Sequence, residues 1–146
     1  GFECHVTLVA RTSRDGVRAR EELPDLLPVA DVVVLAVPLD ETTRGLVDAT
    51  FLKRMKDGSL LVNVARGAVA DTDALLAEAG RLQFALDVTD PEPLPPGHPL
   101  WQSPGVLISP HVGGNTSAFL PRVARLVDEQ ARRWISGESV LHVIVS

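Results

Sequence analysis

The chain has 146 residues, 45% of them apolar and 23% charged, with a formal net charge of −5. That is enough chain for one folded domain with a real core, and an acidic balance without a basic cluster argues against nucleic acid as a partner. A lone Cys4 supports neither an internal disulfide nor a cysteine metal site, and with no signal peptide and no apolar run near the roughly 20 residues of a membrane span, the expectation is a cytoplasmic protein without membrane contact or metal.

Residues 6–10, Val-Thr-Leu-Val-Ala, read as a strand of β-branched and apolar residues. The polar loop Arg11-Thr12-Ser13-Arg14-Asp15-Gly16 follows. Pro24 suits the first turn of a short helix and Pro28 stops it. Residues 31–38 form a continuous apolar run ending in Val37-Pro38. Periodicity alone would allow a buried helix there, but a short β-branched run favours a strand buried on both faces. Asp48 reads as the N-cap of a helix with Phe51, Leu52 and Met55 on one side and Gly58 as terminator. The strand at 59–63 ends in Val64-Ala65-Arg66-Gly67. Asp71 or Thr72 caps the next helix, with Leu75, Leu76 and Ala79 inward and Gly80 after it. Residues 83–86 and 106–108 are the last two strands. Between them Pro91, Pro93, Pro95, Pro96 and Pro99 keep the chain irregular, and Leu94, Leu100 and Trp101 fold that loop back onto the domain. A final helix, from near Ala118 to about Ser136, tolerates Pro121 in its first turn and has Val123, Leu126, Val127 and Trp134 on an apolar side. Gly137 ends it, and residues 140–145 form an extended tail. Five strands alternating with helices predict an α/β fold with a doubly wound parallel sheet.

Ligands of such sheets collect outside the carboxyl ends of the strands. Two apolar runs end there in ionisable residues: Ala85-Leu86-Asp87 leads on to Glu92, and Val106-Leu107-Ile108 leads on to His111. Asp87, Glu92 and His111 are thereby delivered to one edge, where a carboxylate beside an imidazole suits proton transfer. Arg66 has the planar fork that holds a carboxylate through two parallel hydrogen bonds. Taken singly, Arg66-Gly67 reads better as a surface turn, and His111 as a structural histidine like His5, His98 and His142.

Together, Asn63-Val64-Ala65-Arg66-Gly67, Asp87-Val88 with Glu92-Pro93, and Pro110-His111-Val112-Gly113-Gly114 resemble the signatures of the D-isomer-specific 2-hydroxyacid dehydrogenases. These include glyoxylate/hydroxypyruvate reductases and phosphoglycerate dehydrogenases. The resemblance implies a Rossmann-type domain and hydride transfer between a nicotinamide dinucleotide and a small 2-oxoacid or D-2-hydroxyacid. It implies that Arg66 binds the substrate carboxylate and polarises the keto group, that His111 is the acid–base residue, and that Glu92 hydrogen-bonds His111. It places the cofactor against Val37, Pro38, Val64, Ala65, Arg66, Asp87, His111, Gly113 and Gly114. It also implies a homodimeric parent enzyme longer than this chain. Residues 1–137 would be its dinucleotide-binding domain without the first strand and the Gly-rich phosphate turn, and 138–146 a tail toward a separate substrate domain. The 146 residues alone are then expected to be inactive. Two other readings stand beside this one. One is a Rossmann hydrolase that uses NAD transiently, against which the Arg66, Glu92 and His111 set argues. The other is a dinucleotide-sensing interaction module resembling the corepressors of this family.

Cofactor choice is read from the end of the first predicted strand. An acidic residue there accepts hydrogen bonds from the ribose hydroxyls of NAD, and an arginine accommodates the extra phosphate of NADP. The position falls at about Ala10, followed by Arg11 and Thr12, so NADP is favoured over NAD. A merely basic, solvated loop compatible with either cofactor is the alternative.

Overall fold

The computed structural model describes residues 3–143. They fall into two compact units divided between His111 and Val112.

The first unit contains six strands: β1 (Leu8–Ala10), β2 (Val17–Ala19), β3 (Val32–Leu35), β4 (Leu60–Asn63), β5 (Gln83–Leu86) and β6 (Val106–Ile108). They form two parallel sheets, a pair β1-β2 and a four-stranded sheet β3-β4-β5-β6. The sequence expectation of five strands missed β2, because Val17-Arg18-Ala19 is too short and too polar to carry a period. Three helices join the strands: α1 (Leu23–Leu26) with Pro24 in its first turn, α2 (Ala49–Arg54) and α3 (Thr72–Glu78).

The caps were readable in the sequence. Asp48 accepts a hydrogen bond from the Phe51 amide at 2.8 Å, and Asp71 accepts one from the Ala74 amide at 3.0 Å. Each satisfies an amide that the first turn of a helix leaves without an intrahelical partner. Gly58 is not the terminator of α2. That helix ends at Arg54, and Gly58, at φ +75°, forms the turn into β4. Glycine is needed there because this backbone region is unfavourable for side chains with a Cβ.

One face of the four-stranded sheet carries the core. Leu35, Leu61, Phe84 and Leu86 pack with Leu27, Phe51, Leu52, Met55, Ala74 and Leu75 from the helical segments. Leu76 and Ala79 are only half-buried. The opposite face is not closed as the apolar run 31–38 suggested: Val32 is 54% exposed, Val34 58% and Leu107 68%. An unbroken apolar run signals two apolar faces; it does not say that both are covered within the same stretch of chain.

Arg81 ties α2 to α3. Its guanidinium donates to the Leu52 and Met55 carbonyls at 2.8 and 2.9 Å and to the Glu78 and Asp57 carboxylates at 2.6 and 2.9 Å. In the proline-rich loop Leu94 and Leu100 are buried, whereas Trp101 stays half-exposed and donates its indole N–H to the Pro95 carbonyl at 3.0 Å. Trp101 thus pins the loop to itself and not to the core. His98 accepts the Leu100 amide at 3.2 Å and caps a short 3-10 turn, the structural role expected of it.

The second unit is built on α4 (Phe119–Ile135), with Pro121 in its first turn. Arg132–Asp128 and Arg133–Glu129 pair at (i, i+4) spacing, at 2.8 and 2.7 Å. Gly137 follows the C-cap Ser136 at φ +72°. The described part of the expected tail, 140–143, bends at Leu141–His142 and is not a strand; positions 144 and 145 lie outside the described residues. No helix among the described residues is long and apolar enough to cross a membrane.

Candidate active site

The register of the four-stranded sheet builds the site. Leu35 pairs with Asn63, Asn63 with Leu86, and Leu86 with Ile108. The four strands therefore end level, and the residues just past them meet on one edge, where parallel sheets place their ligands.

Asn63 organises that edge. It is 1% exposed and sits at the last position of β4. Its side-chain oxygen accepts the Ala65 amide at 3.0 Å and its amide nitrogen donates to the Arg66 carbonyl at 3.1 Å. A buried amide satisfied in this way fixes the turn that presents Arg66. Gly67 completes it. A Cβ at this residue would collide with the Thr89 carbonyl, so only glycine lets the loops after β4 and β5 touch. Arg66 itself is exposed and lays one guanidinium N–H on the Ala65 carbonyl at 2.6 Å.

A backbone relay joins this turn to the histidine. The Asp87 amide donates to the Asn63 carbonyl at 3.0 Å, and the His111 amide donates to the Asp87 carbonyl at 2.9 Å and to the Ser109 carbonyl at 3.0 Å. The Ser109 hydroxyl donates to the Asp87 carboxylate at 2.6 Å. His111 Nδ1 lies 2.6 Å from Glu92 Oε1, the contact that the resemblance implied. Both side chains are partly exposed, so the imidazole is held from one side and remains open to a ligand.

A cleft of about 360 Å³ opens beside Arg66, lined by Ala36, Val37, Pro38, Leu39, Val64, Ala65 and Arg66. The five expected cofactor contacts that follow β3 and β4 thus share one cavity. Its lining side chains other than Arg66 are apolar and fit the ring faces of a dinucleotide, and Arg66 at the same wall fits an anion.

The other expected cofactor residues divide. β1 ends at Ala10 as expected, and Arg11 is the first residue beyond it. Arg11 is exposed but not unpaired: Nη2 meets Asp40 Oδ2 at 2.7 Å and Thr42 Oγ1 at 3.3 Å. Thr12 is exposed in the same loop. Gly113 and Gly114 belong to the second unit, where the Gly114 carbonyl accepts the Thr116 amide at 2.9 Å.

Sequence reasoning missed three contributors, Asn63 as an organiser, Ser109 and Asp40. For Asn63 and Ser109 a signal existed, a polar residue closing an apolar run. For Asp40 there was none.

Residues 1–113 match the family model described as D-isomer specific 2-hydroxyacid dehydrogenase, NAD binding domain. The chain belongs to the D-isomer-specific 2-hydroxyacid dehydrogenases. Among its relatives, the chloroplastic/mitochondrial formate dehydrogenase of Arabidopsis thaliana is 35% identical over 126 residues, covering 84% of this chain and 33% of the relative. The glyoxylate reductase of Thermofilum pendens is 38% identical over 120 residues, covering 80% and 35%. A D-isomer specific 2-hydroxyacid dehydrogenase from Xanthobacter autotrophicus Py2, solved with NADPH and MES, is 37% identical with a TM-score of 0.82, covering 94% of this chain and 59% of that one. The chain thus spans about a third of the curated dehydrogenases and just over half of the solved one. The parallel sheet is that of a Rossmann-type dinucleotide-binding domain.

Proposed function

We propose that this chain is the dinucleotide-binding portion of an enzyme that reduces a small 2-oxoacid to the D-2-hydroxyacid. The balanced reaction is R–CO–COO⁻ + NAD(P)H + H⁺ → R–CHOH–COO⁻ + NAD(P)⁺. The observation that carries this reading is the His111–Glu92 pair at 2.6 Å on the carboxyl edge of the sheet.

The pair separates two chemistries among the relatives. Oxidation of formate expels CO₂ with loss of hydride alone, so no proton has to be supplied or removed at oxygen. Reduction of a keto group leaves an alkoxide that must be protonated. A histidine oriented by a carboxylate serves the second reaction and is idle in the first. The residues here therefore favour the 2-oxoacid.

The roles follow from chemistry and position. When bound, the nicotinamide dinucleotide supplies the hydride. Val37, Pro38, Val64 and Ala65 wall the cleft that would hold it, and Asp87 would contact its nicotinamide end. His111, oriented through Nδ1 by Glu92, would give a proton from Nε2 to the developing alkoxide. Arg66 would hold the substrate carboxylate and stabilise negative charge on the keto oxygen. Rotation away from the Ala65 carbonyl frees the full fork for that purpose.

NADP is the proposed cofactor. Arg11 directly follows the end of β1, the position that reads the ribose of a dinucleotide, and the Xanthobacter relative was solved with NADPH. A homodimer of the whole protein belongs to the same proposal, in keeping with the family resemblance, and sedimentation velocity tests it. The central experiment is turnover of glyoxylate, hydroxypyruvate, pyruvate and formate by the full-length protein with each cofactor. Reduction of at least one 2-oxoacid, with NADPH preferred, is expected. Formate oxidation without any 2-oxoacid reduction would overturn the reading.

A further inference from the structure

We propose that Asp40 is a specificity-determining residue that weakens selectivity for NADPH by occupying Arg11, the guanidinium that a ribose 2′-phosphate would use. This rests on the proposed placement of the ribose at Arg11.

Arg11 and Asp40 lie 29 residues apart, one just past β1 and the other in the loop after β3. Arg11 Nη2 is shared between Asp40 Oδ2 at 2.7 Å and Thr42 Oγ1 at 3.3 Å. Asp40 is not a carboxylate that can swing aside. Its Oδ1 accepts the Thr42 hydroxyl at 2.6 Å, the Thr42 amide at 2.8 Å and the Thr43 amide at 3.1 Å. The Thr43 hydroxyl is in turn tied to the Pro38 carbonyl at 2.7 Å, and Arg20 donates to the Thr42 carbonyl. The loop is thus pinned from both strands of the small sheet, through Arg11 after β1 and Arg20 after β2. The Thr42 hydroxyl and amide, then Arg11 and the Thr43 amide, hold the Asp40 carboxyl below the usual carboxylate range. It is ionised at neutral pH.

A phosphate bonded to Arg11 would share one guanidinium with this fixed negative charge. It would feel like-charge repulsion across a few ångströms and would gain less than a phosphate on a free arginine. A ribose 2′-hydroxyl carries no charge and escapes the repulsion. Asp40 therefore lowers the gain from the phosphate without affecting the unphosphorylated cofactor.

The test uses full-length protein in four forms: wild type, Asp40→Asn, Arg11→Ala and the double variant. Asparagine keeps an oxygen for the Thr42 and Thr43 amides, removes the charge and replaces Oδ2, the acceptor for Arg11, with a donor NH2, so Arg11 is released. Dissociation constants for NADPH and NADH come from fluorescence titration, and those for adenosine 2′,5′-bisphosphate and 5′-AMP from calorimetry. Asp40→Asn should tighten NADPH and the bisphosphate about tenfold and leave NADH and 5′-AMP within about twofold. In the Arg11→Ala background the same substitution should gain markedly less. An unchanged ratio of NADPH to NADH affinity in Asp40→Asn overturns the proposal. So does a fall in that ratio, which would mean that Asp40 positions Arg11 for the phosphate. Arg11→Ala separates the two claims. If it weakens NADPH alone, the phosphate sits at Arg11 whatever Asp40 does. If it leaves the ratio unchanged, the placement fails and the role of Asp40 fails with it.

Discussion

His111 adopts a backbone conformation that histidines seldom take, φ +54°. The left-handed region costs a residue with a Cβ on the order of 1–2 kcal/mol, and asparagine tolerates it better than most. Two hydrogen bonds from the His111 amide hold the strained turn, and the turn aims the ring at Glu92. His111→Asn is therefore the variant that removes the acid and spares the backbone. We predict a fall in kcat of roughly 10²–10⁴-fold in the full-length enzyme, far larger than the change in cofactor affinity. Near wild-type turnover would take His111 out of the mechanism. Arg66→Lys keeps a charge but loses the planar fork, so the KM for the 2-oxoacid should rise steeply and kcat should fall. If steady-state kinetics with both cofactors show no change, Arg66 is only a turn residue.

Between elements, single residues hold the edge together. Gly67 lies where the loops after β4 and β5 touch, against the Thr89 carbonyl. Gly67→Ala should force the loops apart and cost about 3 kcal/mol, at the upper end of overpacking. Urea denaturation reads the stability loss, and a parallel drop in oxoacid turnover would show that the Arg66 turn moves with it. A stability within 0.5 kcal/mol of wild type, itself a rough threshold for a neutral surface change, would contradict the close approach. Arg81 serves the opposite end of the helices, holding two carbonyls of the α2 segment and two carboxylates. Arg81→Ala leaves those carbonyls without their charged donor and should cost about 2 kcal/mol. Because Arg81 lies away from the cleft residues, kcat measured well below the melting temperature should not change.

For the molecule as a whole, stability should concentrate in the centre of the four-stranded sheet. β4 and β5 each have a strand on both sides, and Leu61 and Phe84 among their residues are almost fully buried. β1 and β2 form a pair of three-residue strands with half-exposed side chains. Native-state hydrogen exchange should find the slowest amides in β4 and β5 and amides in β1 and β2 exchanging much sooner. Uniform protection across both sheets would refute this distribution.

The elements were legible where their signals are local. Asp48 and Asp71 announced two helix starts, because a cap needs only an oxygen three residues before an amide. The runs 83–86 and 106–108 coincide with β5 and β6, and Asp87 and His111 follow them, because a strand that ends in an ionisable residue has to present it at its end. Those local signals, with the family motifs, were enough for the fold and for the pairing of Glu92 with His111. The tertiary structure alone decided which strands share a sheet, that one sheet face stays open, and that Asn63 grips both sides of the Arg66 turn. It alone placed Asp40 on Arg11. Such contacts depend on how loops of many residues close on one another, and closure of a loop leaves no periodic trace in the residues it brings together.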